Sequence, residues 1–264
     1  MSHDRTSPAL RGLAALVYLL LLAPVAIVVV ISFSADSFIV FPPSGFSLRW
    51  YERLVGNEVL MRGLRLSAVV APIVAGLSLL IGVPAAYALA RDRVRHATAL
   101  KTLFLAPLLL PTLVIGLALL MFLQPLRLTA TLTGLVCGHL VVTVPFVIRM
   151  MVTTFSTLPD EVEAAAASLG ASPWRVFRRV TLPLALPGLA ASAFLAFLLS
   201  FDETVISLFL SGPRASTLPV EMVRYVEGRT DPMVAALSVL LIAGTLAVIL
   251  VVERLVGVAR AVGR

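Results

Sequence analysis

Cysteine is nearly absent from this chain: Cys137 is the only one in 264 residues. A lone cysteine excludes an intrachain disulfide and a cysteine-based metal cluster. Lys101 is the only lysine and no glycine-rich loop precedes it, so a Walker A cradle for ATP phosphates is excluded. The three histidines, His3, His96 and His139, form no H-E-x-x-H pattern, and no G-x-S-x-G occurs. No catalytic or metal-ligating set is therefore expected, and His139 reads as a packed or cavity-facing imidazole. Charged residues are only 13% of the chain and aromatics 7%, which excludes an ordinary soluble domain of this length. The formal charge is +7, but no basic patch is interleaved with aromatics, so nucleic-acid binding is not expected. There is no internal repeat and no low-complexity tract.

What is present is apolar. Hydrophobic residues make up 59% of the chain and the mean hydropathy is +1.03. Six charge-free runs, 12–35, 66–90, 102–126, 128–148, 180–201 and 232–252, each reach the roughly 20 residues that a bilayer-spanning helix needs. The expected fold is an all-α polytopic membrane protein with six transmembrane helices, forming one domain over 1–264. The first run exceeds the apolar core of a signal peptide and reads as a retained helix. Of the 21 lysines and arginines, 13 fall on the side of the two termini, the 91–101 loop and the 158–183 segment, and 8 fall on the other. The positive-inside bias then places both termini in the cytoplasm. Trp50 and Tyr51, in the outer loop 34–60, suit a membrane-interface belt. Gly134 and Gly138 make one G-x-x-x-G, a pattern that permits close helix contact.

Two stretches break the apolar pattern. The first is the polar segment 158–183. Pro159 disfavours helix before it, and Asp160 and Glu161 suit the first turn of a new helix. The alanine run favours helix and Gly170 reads as its stop. Ser172-Pro173 reads as an N-cap with proline at the first helical position. Arg175, Arg178 and Arg179 follow, and Pro183 closes the segment. This predicts two short helices meeting at a glycine, suited either to lipid headgroups or to a docking protein. The second stretch is Asp202-Glu203, inside the apolar run from Leu184 to Leu210. Acids in such a place point to function by default. A helix begun near Leu184 puts Asp202 about 27 Å along it, in the outer part of the bilayer. Adjacent residues point about 100° apart on a helix, so one of the two acids is expected to face inward and the other a neighbouring helix or an arginine.

The 158–183 segment resembles the cytoplasmic loop of permease subunits of bacterial ATP-binding-cassette importers, whose signature reads E-A-A, three residues, Gly, nine residues, an aliphatic, one residue, Leu-Pro. From Gly170, nine residues lead to Val180, and Leu182-Pro183 follow in register. In that register the signature Glu falls on Ala164. Glu163-Ala164-Ala165 supplies the triplet one residue early, so Glu163 or Glu161 is expected to stand in for it. The run Ser200-Phe201-Asp202-Glu203-Thr204, then Gly212-Pro213 and Thr217-Leu218-Pro219, is similar to the spermidine/putrescine branch of that family, parts of which ferric-iron, phosphonate and thiamine permeases share. The resemblance implies a multi-pass subunit of the bacterial plasma (inner) membrane that is not itself an enzyme. It implies a second permease subunit, a pair of ATPase subunits that bind ATP and Mg, and an extracytoplasmic substrate-binding protein. The two-helix coupling loop would lie between helices 4 and 5. Asp202 and Glu203 would be substrate-path candidates; Glu161, Glu163, Ala164, Ala165, Gly170, Val180, Leu182 and Pro183 would belong to the loop that couples to the ATPase. A secondary carrier and an intramembrane enzyme are the rival classes; the missing repeat disfavours the first, and the missing nucleophile–histidine pairs disfavour the second.

Overall fold

The computed structural model describes residues 8–91 and 95–256. Arg5, Arg93, Arg260 and Arg264 of the charge count, and His3, lie outside them. The described residues form helices and no strand: α1 (Pro8–Ser32), α2 (Arg49–Val55), α3 (Glu58–Ala90), α4 (Ala97–Leu109), α5 (Thr112–Leu123), α6 (Leu132–Ser156), α7 (Asp160–Ser168), α8 (Pro173–Leu184), α9 (Leu186–Phe201), α10 (Val205–Leu210), α11 (Leu218–Gly228) and α12 (Met233–Val256). Four described helices are long and apolar enough to cross a membrane, within α1, α3, α6 and α12, and two bent pairs raise the number to as many as six.

Those pairs correct two of the expected straight spans. The run 102–126 is broken into α4 and α5, which meet at 96°. Leu110 precedes Pro111 and is extended, with φ −90° and ψ 143°, the conformation that a following proline imposes. The run 180–201 is broken at Ala185, where α8 and α9 meet at 73°. Pro183 therefore does not close the loop segment but lies inside α8. Phe177–Thr181, just before it, widens into a π-type turn. A wider turn relieves the clash between a proline ring and the carbonyl four residues back. Helix α6 runs through Arg149 to Ser156, eight residues past the expected end of its span. Thr131 caps its start: its Oγ1 accepts from the Gly134 amide at 3.1 Å and donates to Leu128 C=O at 2.6 Å.

By contacts the chain divides into two compact units. One comprises residues 1–61 and 222–247. In it the Asp36 carboxylate organises the outer loop, accepting from Ser34 Oγ at 3.0 Å, from the Ser44 amide at 2.9 Å and from the Ser44 hydroxyl. These bonds, that of the Ser44 hydroxyl first, hold the Asp36 carboxyl below its ordinary value. Trp50 is not at an interface as expected but 2% exposed, with the Arg49 and Arg53 guanidinia 4.7 and 5.0 Å from its ring centroid. A face occupied by two cations leaves this indole no belt to join.

The other unit comprises 62–221 and 248–264. One apolar cluster joins α3, α5, α6 and α10 through Val70, Val74, Ile115, Leu135, Ile206 and Leu210. A second joins α3, α6 and α9 through Val83, Tyr87, Val147, Met151, Phe155 and Ala196. Close approaches depend on glycine. A Cβ on Gly138 would meet Leu210 and Ile206 of α10, whereas one on Gly134 would meet the Leu128 carbonyl of the preceding turn. The G-x-x-x-G thus seats a short helix and a turn rather than one long partner. On α9, a Cβ on Gly188 would strike Thr154 of α6, whereas one on Gly76 would meet nothing within 4 Å. Thr154 is β-branched and stiff, so Gly188→Ala is expected to destabilise the protein by about 1–3 kcal/mol. Thermal unfolding of the detergent-solubilised protein checks this: Gly188→Ala lowers the midpoint and Gly76→Ala does not.

Candidate functional site

Both polar stretches lie in the second unit. In the loop segment, α7 starts after Pro159 with Asp160, Glu161 and Glu163 in its first turn. Gly170 ends it with φ 82°, the left-handed conformation that glycine adopts without strain. The Gly170 and Ala171 amides donate to Ala167 C=O at 2.9 Å and Ala166 C=O at 3.2 Å, closing the helix end. Ser172 is extended as an N-cap should be and Pro173 takes the first helical position, but the Ser172 side chain makes no capping bond. Leu169 stands 91% exposed at the tip, and Trp174 is 68% exposed in the first turn of α8.

The inner face of this hairpin holds a charged node. Arg91, at the end of α3, donates to Glu163 Oε1 from Nη2 at 2.8 Å and from Nε at 3.2 Å. Its Nη1 donates to Phe155 C=O at 3.1 Å, in the last turn of α6, and also pairs with Asp160. Glu163 further accepts from Tyr87 Oη at 2.9 Å and Thr181 Oγ1 at 2.9 Å. The Arg91 and Glu163 side chains are 9% and 12% exposed, whereas Asp160 is 79% exposed and contributes little. Under the node, the Tyr87 ring packs on Phe155 at 5.4 Å and on Phe177 at 4.8 Å. One carboxylate thus ties together α3, α7 and α8, and through Arg91 also α6. A cleft of about 330 Å³ opens beside it, lined by Arg91, Asp160, Glu163, Ala164, Ala167 and Val176 among others. Glu161, Ala164, Ala165, Gly170 and Pro183 are exposed, while Val180 and Leu182 are half-buried.

In the second stretch, Asp202 and Glu203 lie between α9 and α10. Glu203 Oε1 accepts from the Ile206 amide at 3.0 Å and so closes the start of α10. Thr204 Oγ1 donates to Asp202 C=O at 3.1 Å. Asp202 is exposed and Glu203 half-buried. The two acids therefore differ in role because the helix stops at Phe201, not because they point 100° apart on a continuous helix. Sequence reasoning singled out both acids, but not Arg91, Tyr87 or Thr181. Arg91 had counted only toward the basic loop; its position 72 residues before Glu163 carries no local signal.

Burial opposes ionisation of Glu163, and the hydrogen bonds from Arg91, Thr181 and Tyr87 outweigh it, holding the carboxyl below its ordinary value. A depressed carboxyl stabilises above its unfolded pKa of about 4.3 and loses that contribution as pH falls through the folded value. Docking of α7 is therefore constant at neutral pH and weakens below about pH 4. Glu163→Gln is expected to cost about 1–2 kcal/mol and Arg91→Ala about 2–3 kcal/mol, because the second leaves a half-buried carboxylate without its cation, held only by Tyr87 and Thr181. Hydrogen exchange across 160–168 reads both, speeding in Glu163→Gln and more in Arg91→Ala.

Comparison with known proteins follows the same lines. A protein family described as "Binding-protein-dependent transport system inner membrane component" matches residues 65–260. The spermidine/putrescine transport system permease protein PotC of Escherichia coli (strain K12) is 30% identical over 239 residues, covering 90% of this chain and 90% of that protein. The putrescine transport system permease protein PotI of the same strain is 31% identical over 229 residues, covering 84% of this chain and 81% of that one. Among solved structures, a bacterial ABC transporter involved in the import of the acidic polysaccharide alginate contains a chain that superposes with a TM-score of 0.71 at 18% identity, over 96% of this chain and 99% of that one. The inward-facing MetNI methionine ABC transporter contains another, with a TM-score of 0.64 at 21% identity, over 78% and 96%. At such identities these two structures speak for the fold alone.

Proposed function

The chain belongs to the family of binding-protein-dependent transport system inner membrane components, and on that premise we propose that it is a permease subunit of an ATP-driven importer for the polyamines putrescine and spermidine. Similarity to PotC over 90% of the chain supports the substrate class. The observation that carries a cationic substrate is the break after α9, where Glu203 is occupied by the Ile206 amide and Asp202 is left exposed. A polyamine needs carboxylates along its path. A unit charge pair at about 4 Å is worth about 4 kcal/mol at an effective dielectric near 20, enough for one acid to decide uptake.

The subunit works as one domain with six spans and both termini in the cytoplasm of a bacterial inner membrane. A second permease completes the path, an extracytoplasmic binding protein delivers the substrate, and a pair of ATPase subunits, which hold ATP and Mg, meets the 158–183 loop. Exposed Glu161 at the start of α7 and the exposed tip with Leu169 and Gly170 support docking; burying Leu169 alone contributes about 2 kcal/mol. Glu163, turned inward to Arg91, carries the motion of the loop into α3. Glu161 is the acid left to meet the ATPase.

Orientation is read by thiol labelling in intact cells, with Cys137 replaced by alanine. An impermeant reagent reaches a cysteine at Phe46, 75% exposed in the outer loop, and not one at Leu169. Ready labelling at Leu169 reverses the topology.

Uptake of labelled putrescine or spermidine into vesicles holding the assembled transporter tests the substrate. Asp202→Asn is expected to lower uptake about tenfold or more while the ATPase subunits still co-purify. Unchanged uptake in that variant, or wild-type uptake of an anionic solute only, contradicts the cationic path.

A further inference from the structure

The acidic break is held from behind. His139 lies in α6 and is 0% exposed, as are Ser207 and Thr143; Ser200 is 3% exposed. Its Nδ1 is 2.8 Å from Ser200 Oγ, in the last turn of α9. Its Nε2 is 2.9 Å from Ser207 Oγ, in the first turn of α10. A neutral imidazole has one N–H and one bare nitrogen, so one serine accepts from the ring and the other donates to it. Both ring nitrogens are used, and the two serines flank Asp202, Glu203 and Thr204. In an unbroken helix, residues seven apart lie about 10.5 Å apart along the axis, farther than one ring with bonds of 2.8 and 2.9 Å can bridge. The bridge closes because the helix is interrupted, and once closed it keeps the two helix ends together.

The residues around it make the bridge rigid. Gly138, next to His139, lets Leu210 and Ile206 of α10 lie directly on α6. Gly116 does the same for Phe209 from the α5 side. Thr143 Oγ1 is fixed one turn further along α6, donating to His139 C=O at 2.9 Å and sharing a bond with Ser78 Oγ of α3 at 2.7 Å. Within the break itself the Glu203 and Thr204 side chains are bound, and that of Asp202 is exposed.

We propose that His139 is a positioning residue for the acidic break: by bridging Ser200 and Ser207 on its two flanks, it sets where Asp202 presents its carboxylate to a cationic substrate. This rests on the Asp202 reading given above. His139 does not touch the substrate. Its imidazole, buried where an unmatched polar group is costly, exchanges both of its bonds for a fixed break.

The test uses the assembled transporter with Cys137 replaced by alanine and spin labels at positions 199 and 208, both exposed and one on each side of the break. Their distance distribution is expected to be narrow in the wild type. It is expected to broaden at least twofold in His139→Leu and in the pair Ser200→Ala with Ser207→Ala, and to stay narrow in His139→Gln, which keeps a donor and an acceptor. If His139→Leu fails to assemble, the serine pair decides. The same variants raise KM for polyamine uptake about tenfold, the size of one lost positioning bond, with kcat within about twofold of the wild type, and His139→Gln restores KM. Wild-type distances in both His139→Leu and the serine pair overturn the clamp. So does broadening that leaves KM unchanged while Asp202→Asn still impairs uptake. Broadening together with normal uptake in Asp202→Asn keeps the clamp but removes the cation path, so the two readings fail separately.

Discussion

No backbone polar group can be left open in hydrocarbon, and this constraint governs each place where a helix of this chain stops inside an apolar stretch. At Leu110 the amide turns back to Pro107 C=O at 3.3 Å, and Pro111 has no amide to satisfy. At Ala185 the ladder continues on both sides of the bend: the Ala185 amide reaches Thr181 C=O at 2.9 Å and the Leu189 amide reaches Ala185 C=O at 2.8 Å. At 202–204 side chains take over, with Thr204 closing one carbonyl and Glu203 one amide. The bends are therefore built features, and only the last is closed with acidic residues. The Glu203 and Thr204 side chains are engaged within the break, and the Asp202 side chain is left exposed.

Helix α6 connects the two polar sites. Its Phe155 carbonyl accepts from Arg91, which holds Glu163 of the loop hairpin. Sixteen residues earlier, His139 holds both sides of the acidic break. At about 1.5 Å per residue, the two lie about 24 Å apart along one helix. A displacement of the hairpin acts first on Arg91, and through it on α3 and the end of α6. The same α6 seats α10 at Gly138 and α9 at Thr154. For the coupling proposed above, these packed helices and their two polar contacts are the physical route from loop to acidic break.

Much of this was legible in the sequence. Charge-free runs located the apolar segments, because a hydrocarbon environment excludes charge whatever the helix direction. Gly170 was legible as a stop, because only its backbone geometry mattered. The bends at Leu110 and Ala185 were not, since hydropathy is unchanged when a helix turns by 96° or 73°; Pro111 and Pro187 carried the signal but looked like the prolines that α1, α3 and α6 pass through without interruption. Trp50 was misplaced because its ring faces Arg49 and Arg53 of its own short helix. The partners of Glu163 and His139 lie 18 to 76 residues away, and such pairings exist only after packing.

The central claim is that this subunit serves ATP-driven uptake of polyamines. The most direct measurement is accumulation of labelled spermidine by vesicles holding the assembled transporter and its binding protein, with ATP or a non-hydrolysable analogue on the ATPase side. The account predicts accumulation with ATP, none with the analogue, and competition by putrescine. Accumulation driven by an ion gradient without ATP, or ATP-driven uptake that no polyamine competes for, would contradict it.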